Sequence, residues 1–291
     1  MERANVLRLR PGGPSWPEAL DAIEGPPERL WCRGRVELLR AVPRLAIVGT
    51  RTPTPYGLDQ ARVFATAFAA AGAVVVSGLA RGVDQAAHLG ALDAGGGTIA
   101  VLGCGVDRPW PAGPAAERVG AEGLLLSEYP PGQAPRRHHF PFRNRLIAGL
   151  SAGVVVIEAA FASGSLITAR WAADQGREVW ALPGRVDHPM ARGCHRLLRE
   201  GAMLVESAAD VLGPLGLAAG ETRRAEDPAT TAGSPLHRAL VTALRGETLS
   251  PDELAGRTGG DVPAVLTALV ELELAGLVVR GAGSLYRIRA P

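Results

Sequence analysis

The sequence predicts an α/β protein, a doubly wound parallel sheet followed by a small helical unit, and three observations carry that prediction. From Arg44 onward, short continuous Val/Ile/Leu runs alternate with helical segments, the pattern of strands covered on both faces. Each run ends in a turn of small or polar residues, several with an arginine. After residue 234, three segments with helix-start signals precede two short apolar runs separated by a Gly-rich turn.

Residues 1–43 are rich in Pro, Gly and Arg and read as an N-terminal lead-in packed on the next domain. Its one helical stretch is expected around Trp16–Ile23, with Ser15 as N-cap and Pro17 and Glu18 in the first turn. Residues 44–212 should hold the sheet, with strands at Leu45–Val48, Ala73–Val76, Thr98–Leu102, Leu124–Ser127, Val154–Ile157 and Val179–Leu182, and a short seventh at Ala202–Val205. Helices are expected over Gly57–Ala71, Val83–Ala94, Asn144–Leu150 and Leu166–Gln175, with a long loop ahead of Asn144. In such sheets ligands bind outside the carboxyl ends of the strands.

Residues 213–234 lack an apolar period and read as a flexible linker. In residues 235–291 the first helix is expected over Leu236–Leu244. Ser250-Pro251-Asp252-Glu253 then opens a second helix running to Thr258, and Asp261-Val262-Pro263 a third to Leu274. Leu277–Arg280 and Leu285–Ile288 make a hairpin across Gly281–Gly283. Three helices and a wing describe a winged-helix domain.

A chain of 291 residues suits one α/β domain plus a small one. Hydrophobic residues at 47% and aromatics at 4% imply an aliphatic core. A net charge of +2 leaves any attraction to a polyanion to a local patch. All 31 basic residues are arginine, which excludes Schiff-base chemistry and the P-loop lysine. Cys32, Cys104 and Cys194 form no C-x-x-C pair, so neither a disulfide framework nor a zinc site is indicated. His188, Cys194 and His195 match no standard ligand spacing. Without a signal-peptide core or an apolar run of about 18 residues, the chain reads as a soluble, cytoplasmic protein with no membrane partner.

The densest chemistry lies in Arg136-Arg137-His138-His139-Phe140-Pro141-Phe142-Arg143-Asn144-Arg145, where four arginines and two phenylalanines stand without an acid. As an exposed loop it offers cations for phosphates and aromatic faces for unstacked bases, which suits a single strand better than a duplex. The competing reading is a solvated basic loop anchored by its phenylalanines, and Phe142 fits either place. Gly49-Thr50-Arg51 at the first strand tip could hold an anion, or be an ordinary strand-to-helix turn with a surface arginine. The turn from Ser77 to Asp84, with Arg81, repeats the idea at the second strand tip. Asp84 and His88 stand one helical turn apart and can share a hydrogen bond, as a general-base pair or, as favoured here, a structural one. Ser163-Gly164-Ser165 opens a helix with three N–H groups and two hydroxyls facing outward, a phosphate cradle or a simple cap. Gly103-Cys104-Gly105 begins a dinucleotide fingerprint, but Arg108 replaces the third glycine.

Several stretches, in order, resemble the DNA processing protein A (DprA/Smf) family: Ala46–Arg51, Val76–Asp84 with His88, Thr98–Gly103, Leu126–Pro130, Phe140–Leu150, Ser163–Ala169, Gly176–Val179 and Leu182–Gly184. The likeness runs through about Arg44–Val211, and the winged helix also looks like one that many members carry. The resemblance implies an extended Rossmann fold that binds and protects single-stranded DNA and helps load the RecA recombinase during natural transformation. It further implies a homodimer, no cofactor and no established catalysis. Carried onto matching positions, the DNA contacts would be Gly49, Thr50, Arg51, Phe140, Arg143, Arg145, Ser163, Gly164 and Ser165, with Arg81 and Asn144 in the same motifs.

Two departures stand out. Ala159–Ala162 is uncharged where relatives often carry a basic residue, a loss for which Arg136 and Arg137 could compensate. The 43 residues before the sheet are too few for the separate N-terminal helical domain of many relatives. An alternative reading is a nucleotide-processing enzyme of the phosphoribohydrolase type. It requires a Pro-Gly-Gly-x-Gly-Thr turn followed by glutamate, which Ser163–Thr168 lacks. A transcription factor built on the winged helix is disfavoured because Val262–Leu274 contains no arginine. That small domain is expected to make a protein contact or to play a weak auxiliary role instead.

Overall fold

Continuous apolar runs fold as strands here because helices cover the sheet from both sides. A computed structural model describes residues 6–218 and 233–288. The chain divides into two compact units, Met1–Pro53 with Gln60–Gly220, and Thr54–Asp59 with Glu221–Pro291.

The larger unit holds β1 (Leu7–Leu9), β2 (Leu30–Gly34), β3 (Arg44–Val48), β4 (Val74–Ser77), β5 (Thr98–Leu102), β6 (Leu124–Ser127), β7 (Gly153–Val156), β8 (Glu178–Ala181) and β9 (Met203–Leu204). They form one sheet in the order β1-β2-β6-β5-β4-β3-β7-β8-β9. From β6 to β9 every pairing is parallel, while β1 and β2 add antiparallel strands at one edge. The helices are α1 (Pro55–Ala70), which belongs to this unit from Gln60 onward, α2 (Val83–Asp93), α3 (Pro114–Glu122), α4 (His139–Leu150), α5 (Ser165–Asp174), α6 (Arg192–Arg199) and α7 (Ala208–Leu212).

Alternate strand residues feed the two faces, as the period of two requires. Ala46, Val48, Val154 and Val156 pack with Leu146 and Ile147 of α4, Ala169 and Ala172 of α5, and Leu197 of α6. Leu45, Ile47, Val75 and Val155 pack with Phe64 and Phe68 of α1, Ala87 of α2, and Val211 of α7. This is the doubly wound, Rossmann-like α/β sheet expected from the alternation. The chain runs from β3 outward to β6, then returns to lay β7 on the other side of β3. The strand order therefore reverses between β3 and β7, and a crevice opens at their carboxyl ends.

Three expectations are corrected. The segment over 1–43 supplies two strands of the sheet, with Cys32 opposite Leu126 across β2 and β6. Its helical stretch is only a 3-10 turn, Glu18–Leu20, whose N-cap residue is Pro17 and which Ser15 does not cap. Trp16, Leu20 and Ile23 are buried in the same core cluster as Leu146 and Ile147 of α4. The helix expected from Asn144 begins at His139, so seven of the ten residues of the basic stretch are helical and not loop. Pro141 fits because a first-turn residue has no intrahelical N–H bond to lose. The linker expected over 213–234 lies mostly outside the described residues; where it is described, Gly213–Leu215 forms a 3-10 turn, and Leu215 and Leu217 pack on the sheet unit.

The second unit contains α8 (Pro235–Ala243), α9 (Pro251–Thr258), α10 (Val262–Leu274) and the hairpin β10 (Val278–Arg280) and β11 (Tyr286–Ile288). Ser250 and Glu253 close a capping box at α9, and the Asp261 side chain accepts from the Ala264 N–H at α10. Leu240, Leu254, Val265, Leu269, Val278 and Tyr286 form its core. This is a winged-helix fold.

Candidate nucleic-acid interface

Loops at the strand tips build the crevice. After β3, the Thr50 N–H donates to the Glu158 carbonyl at 2.7 Å, tying this loop to the one after β7. Gly49 is required by packing, since a Cβ there would lie 2.6 Å from Val83 Cγ2 of α2. The Thr50 hydroxyl accepts the Thr52 N–H at 3.2 Å. Between these anchors Arg51 stands exposed, with no hydrogen bond or ion pair among the described residues.

After β4, the Asp84 carboxylate accepts the N–H groups of Gly78 and Ala80 at 3.1 and 3.2 Å. That clamp holds Leu79 at φ 61°, a left-handed conformation unusual for a branched side chain. Burial pushes the Asp84 carboxyl up to about 6, against the pull of the nearby Arg143 guanidinium and the two N–H donors. Asp84 and His88 do not share the hydrogen bond their spacing allows. His88 Nδ1 bonds Thr98 Oγ1 at 2.7 Å, and that hydroxyl donates to the Val75 carbonyl. Burial lowers His88 to about 3, so it sits neutral inside the unit. The structural pair favoured from the spacing does not form; each residue is held by a different internal partner.

Helix α4 decides which members of the basic stretch reach the crevice. At 100° per residue, Phe140, Arg143, Asn144 and Ile147 fall on one face, and all four line the cleft. Phe142 and Arg145 fall on another. Arg145 is only 2% exposed and grips Glu128 through both oxygens, at 2.8 and 2.6 Å, while its Nε donates to Gly25 O at 3.0 Å. Its guanidinium also lies 3.8 Å from the Phe142 ring centroid. Arg145 is therefore a structural ion pair and not a phosphate contact, which corrects the sequence reading. Phe142 is exposed, away from the cleft lining.

Arg143 points into the crevice but is 4% exposed. Its Nη1 donates to Gly78 O at 2.9 Å and also to Val101 O. The guanidinium lies so close that a Cβ on Gly78 would be 2.7 Å from Nη2. Burial lowers Arg143 to about 10, with Asp84 opposing. The expected grip is thus corrected to a charged floor, fixed by two carbonyls beneath the rim. Asn144 is likewise a brace, its amide donating to Gly164 O at 3.3 Å. Phe140 is half-buried, its ring against Gly103, and it lines the cleft.

The Ser163 N–H is taken by Ala160 O, and the Ser165 N–H by the Ser163 hydroxyl at 3.3 Å. The two hydroxyls bond each other at 2.7 Å. The expected cradle of three outward N–H groups is reduced to that of Gly164, whose Cα faces open space.

The result is a cleft of about 620 Å³, within the usual range of ligand sites. Its lining includes Gly49, Thr50, Arg51, Arg137, Phe140, Arg143, Asn144 and the Ser163-Gly164-Ser165 turn. Arg51, Arg137 and Arg143 face a single lining carboxylate, Asp84, so the cleft is electropositive. Arg81 and Arg136 are exposed but stand outside the lining. Sequence reasoning missed Trp110, Ile167 and Met190, which line the same cleft. For Trp110 the signal was available: an aromatic between two prolines just past a strand tip has no helical or strand period to bury it. His188, Cys194 and His195 are engaged separately. His188 Nδ1 accepts from the Met190 N–H, Cys194 Sγ contacts the Val156 and Ile157 carbonyls, and His195 Nε2 bonds Gly184 O. Among the described residues no cluster of three metal-ligating side chains occurs.

A doubly wound sheet with an electropositive, aromatic-lined cleft at its reversal point, together with a separate winged-helix unit in the same chain, defines a class of nucleic-acid-handling proteins. Residues 8–216 match the model of the DNA recombination-mediator protein A family, and residues 224–284 that of the DprA winged helix domain. The chain belongs to this family. Among its relatives, Smf of Escherichia coli (strain K12) is 40% identical over 99% of this chain and 79% of its own length. The crystal structure of DNA processing protein A from Streptococcus pneumoniae superimposes with a TM-score of 0.68 at 41% identity, covering 71% of this chain and 73% of that one. A Helicobacter pylori structure, reported for its single-stranded DNA binding mode, gives 0.66 at 33% identity over 72% and 95%. The family match begins well before Arg44, in keeping with β1 and β2 being part of the sheet.

Proposed function

We propose that the chain binds single-stranded DNA in this cleft without sequence preference, shields it, and hands it to the RecA recombinase during natural transformation. The observation that carries the reading is convergence: Arg51, the stretch holding Arg137 and Phe140, and the Gly164 turn are three separate segments that line one electropositive surface. Exposed guanidinium groups suit phosphates, and an aromatic ring suits a base that is free to unstack. The Helicobacter pylori relative, studied for binding such DNA, supports the same occupant here. The acid–base candidates Asp84 and His88 are spent on internal partners, which favours binding over catalysis.

Delivery to RecA, a cytoplasmic setting and homodimerisation rest on family membership. Among the described residues no helix is long and apolar enough to cross a membrane. A dimer is supported by the exposed Met203 and Leu204 of β9, the sheet's outer strand. In the second unit, α10 carries no arginine and exposes Leu266, Val270 and Leu274, which supports a protein contact over groove reading.

Fluorescence anisotropy with labelled oligo-dT tests the site. Arg51→Ala and Phe140→Ala should each weaken binding, and Arg51→Ala should reduce the salt slope by roughly 0.7. If both variants bind as tightly as the wild type, the cleft is not the site; equal affinity for a duplex of the same length would end the single-strand reading. Sedimentation velocity and RecA filament assembly on protein-coated DNA test the dimer and the hand-over.

A further inference from the structure

We infer that Trp110 is a second base-stacking platform of the cleft, an assignment that rests on the single-stranded DNA reading and adds a contact to it. Trp110 is 54% exposed, although a buried indole removes more apolar area from water than almost any other side chain. It lines the same cleft as Phe140, Arg51 and Arg137, and its indole makes no hydrogen bond among the described residues.

The loop that presents it is tied down. Cys104 and Val106 are buried, and Cys104 Sγ donates to the Arg108 carbonyl at 3.1 Å. The Asp107 carboxylate accepts the Gly132 N–H through both oxygens, at 2.8 and 2.9 Å. The Gly105 N–H donates to Gln133 O at 2.9 Å. These bonds join the loop after β5 to the segment leading into α4, so Trp110 and Phe140 are carried by one braced assembly. A ring carried on a loop already braced costs less ordering of the chain when a base stacks on it, and every base offers a π-face, so the contact is sequence-tolerant. The guanidinium groups of Arg51 and Arg137 in the same lining supply the phosphate contacts that a stacked nucleotide also needs.

The test uses the full chain with labelled oligo-dT and with an abasic oligonucleotide of equal length. Trp110→Ala should weaken dT binding about fivefold or more, Trp110→Phe should stay close to the wild type, and abasic binding should be the same in all three. Oligo-dT should also quench tryptophan emission in the wild type, and Trp110→Phe should lose that quenching while keeping its affinity. Wild-type affinity in Trp110→Ala, beside a weakened Phe140→Ala, would overturn this inference alone. An equal loss on abasic DNA would overturn it too, since the indole would then be shaping the loop and not stacking. Absence of dT binding by the wild type would sink the single-strand reading along with it.

Discussion

Arg143 and Arg145 lie two residues apart in a stretch where composition treats every arginine alike, yet they do different work. One braces the cleft floor against Gly78 and Val101, and the other locks to Glu128 and Gly25 behind the helix. Truncating one partner of a buried ion pair costs about 3–5 kcal/mol because the other charge is stranded. Arg145→Ala should therefore lower the urea midpoint steeply and leave the salt slope of DNA binding unchanged in the fraction that folds. Arg51→Ala should do the reverse. A shallower salt slope in Arg145→Ala would return that residue to the DNA surface. The sequence showed that this stretch was cationic and aromatic, and placed Arg51 at a strand tip. It could not show which guanidiniums were already occupied, because Glu128, Gly25 and Gly78 are far away in sequence. The same limit applies to Asp84 and His88: spacing permitted a mutual bond, but the loop after β4 took Asp84 and strand β5 took His88.

At the scale of elements, the parallel strands were legible because burial on both faces makes them uniformly apolar. Strands β1 and β2 were not. Leu7-Arg8-Leu9 and Leu30-Trp31-Cys32-Arg33 interleave arginine with apolar residues at the sheet edge, inside a segment full of Pro and Gly. Reading the stretch ahead of Asn144 as a loop let its side chains converge in principle; the helix starting at His139 sorts them by angle and sends Arg145 away. The turn opening α5 carries its own prediction. Gly164 adopts φ −63°, and a Cβ there would meet nothing within 4 Å. Gly164→Ala should thus keep or slightly raise the melting temperature while weakening oligo-dT binding, because the methyl group occupies the space a phosphate needs to reach the free N–H. Unchanged affinity in anisotropy would remove this turn from the DNA surface.

For the whole molecule, the reversal of strand order between β3 and β7 placed the site before any side chain was considered. The cleft then draws on residues from Val48 to Met190, brought together only when the sheet closes from both sides of β3. None of these segments can present its part of the surface in a half-formed chain. A bound oligonucleotide would accordingly behave as a clasp across the whole sheet, favouring the native state over every opened form. At a hundredfold excess over its dissociation constant that coupling is worth about 2.7 kcal/mol, or about 5–10 °C for a unit of this size. Scanning fluorimetry that shows the curve unmoved at that ratio would mean the strand never engages the closed sheet.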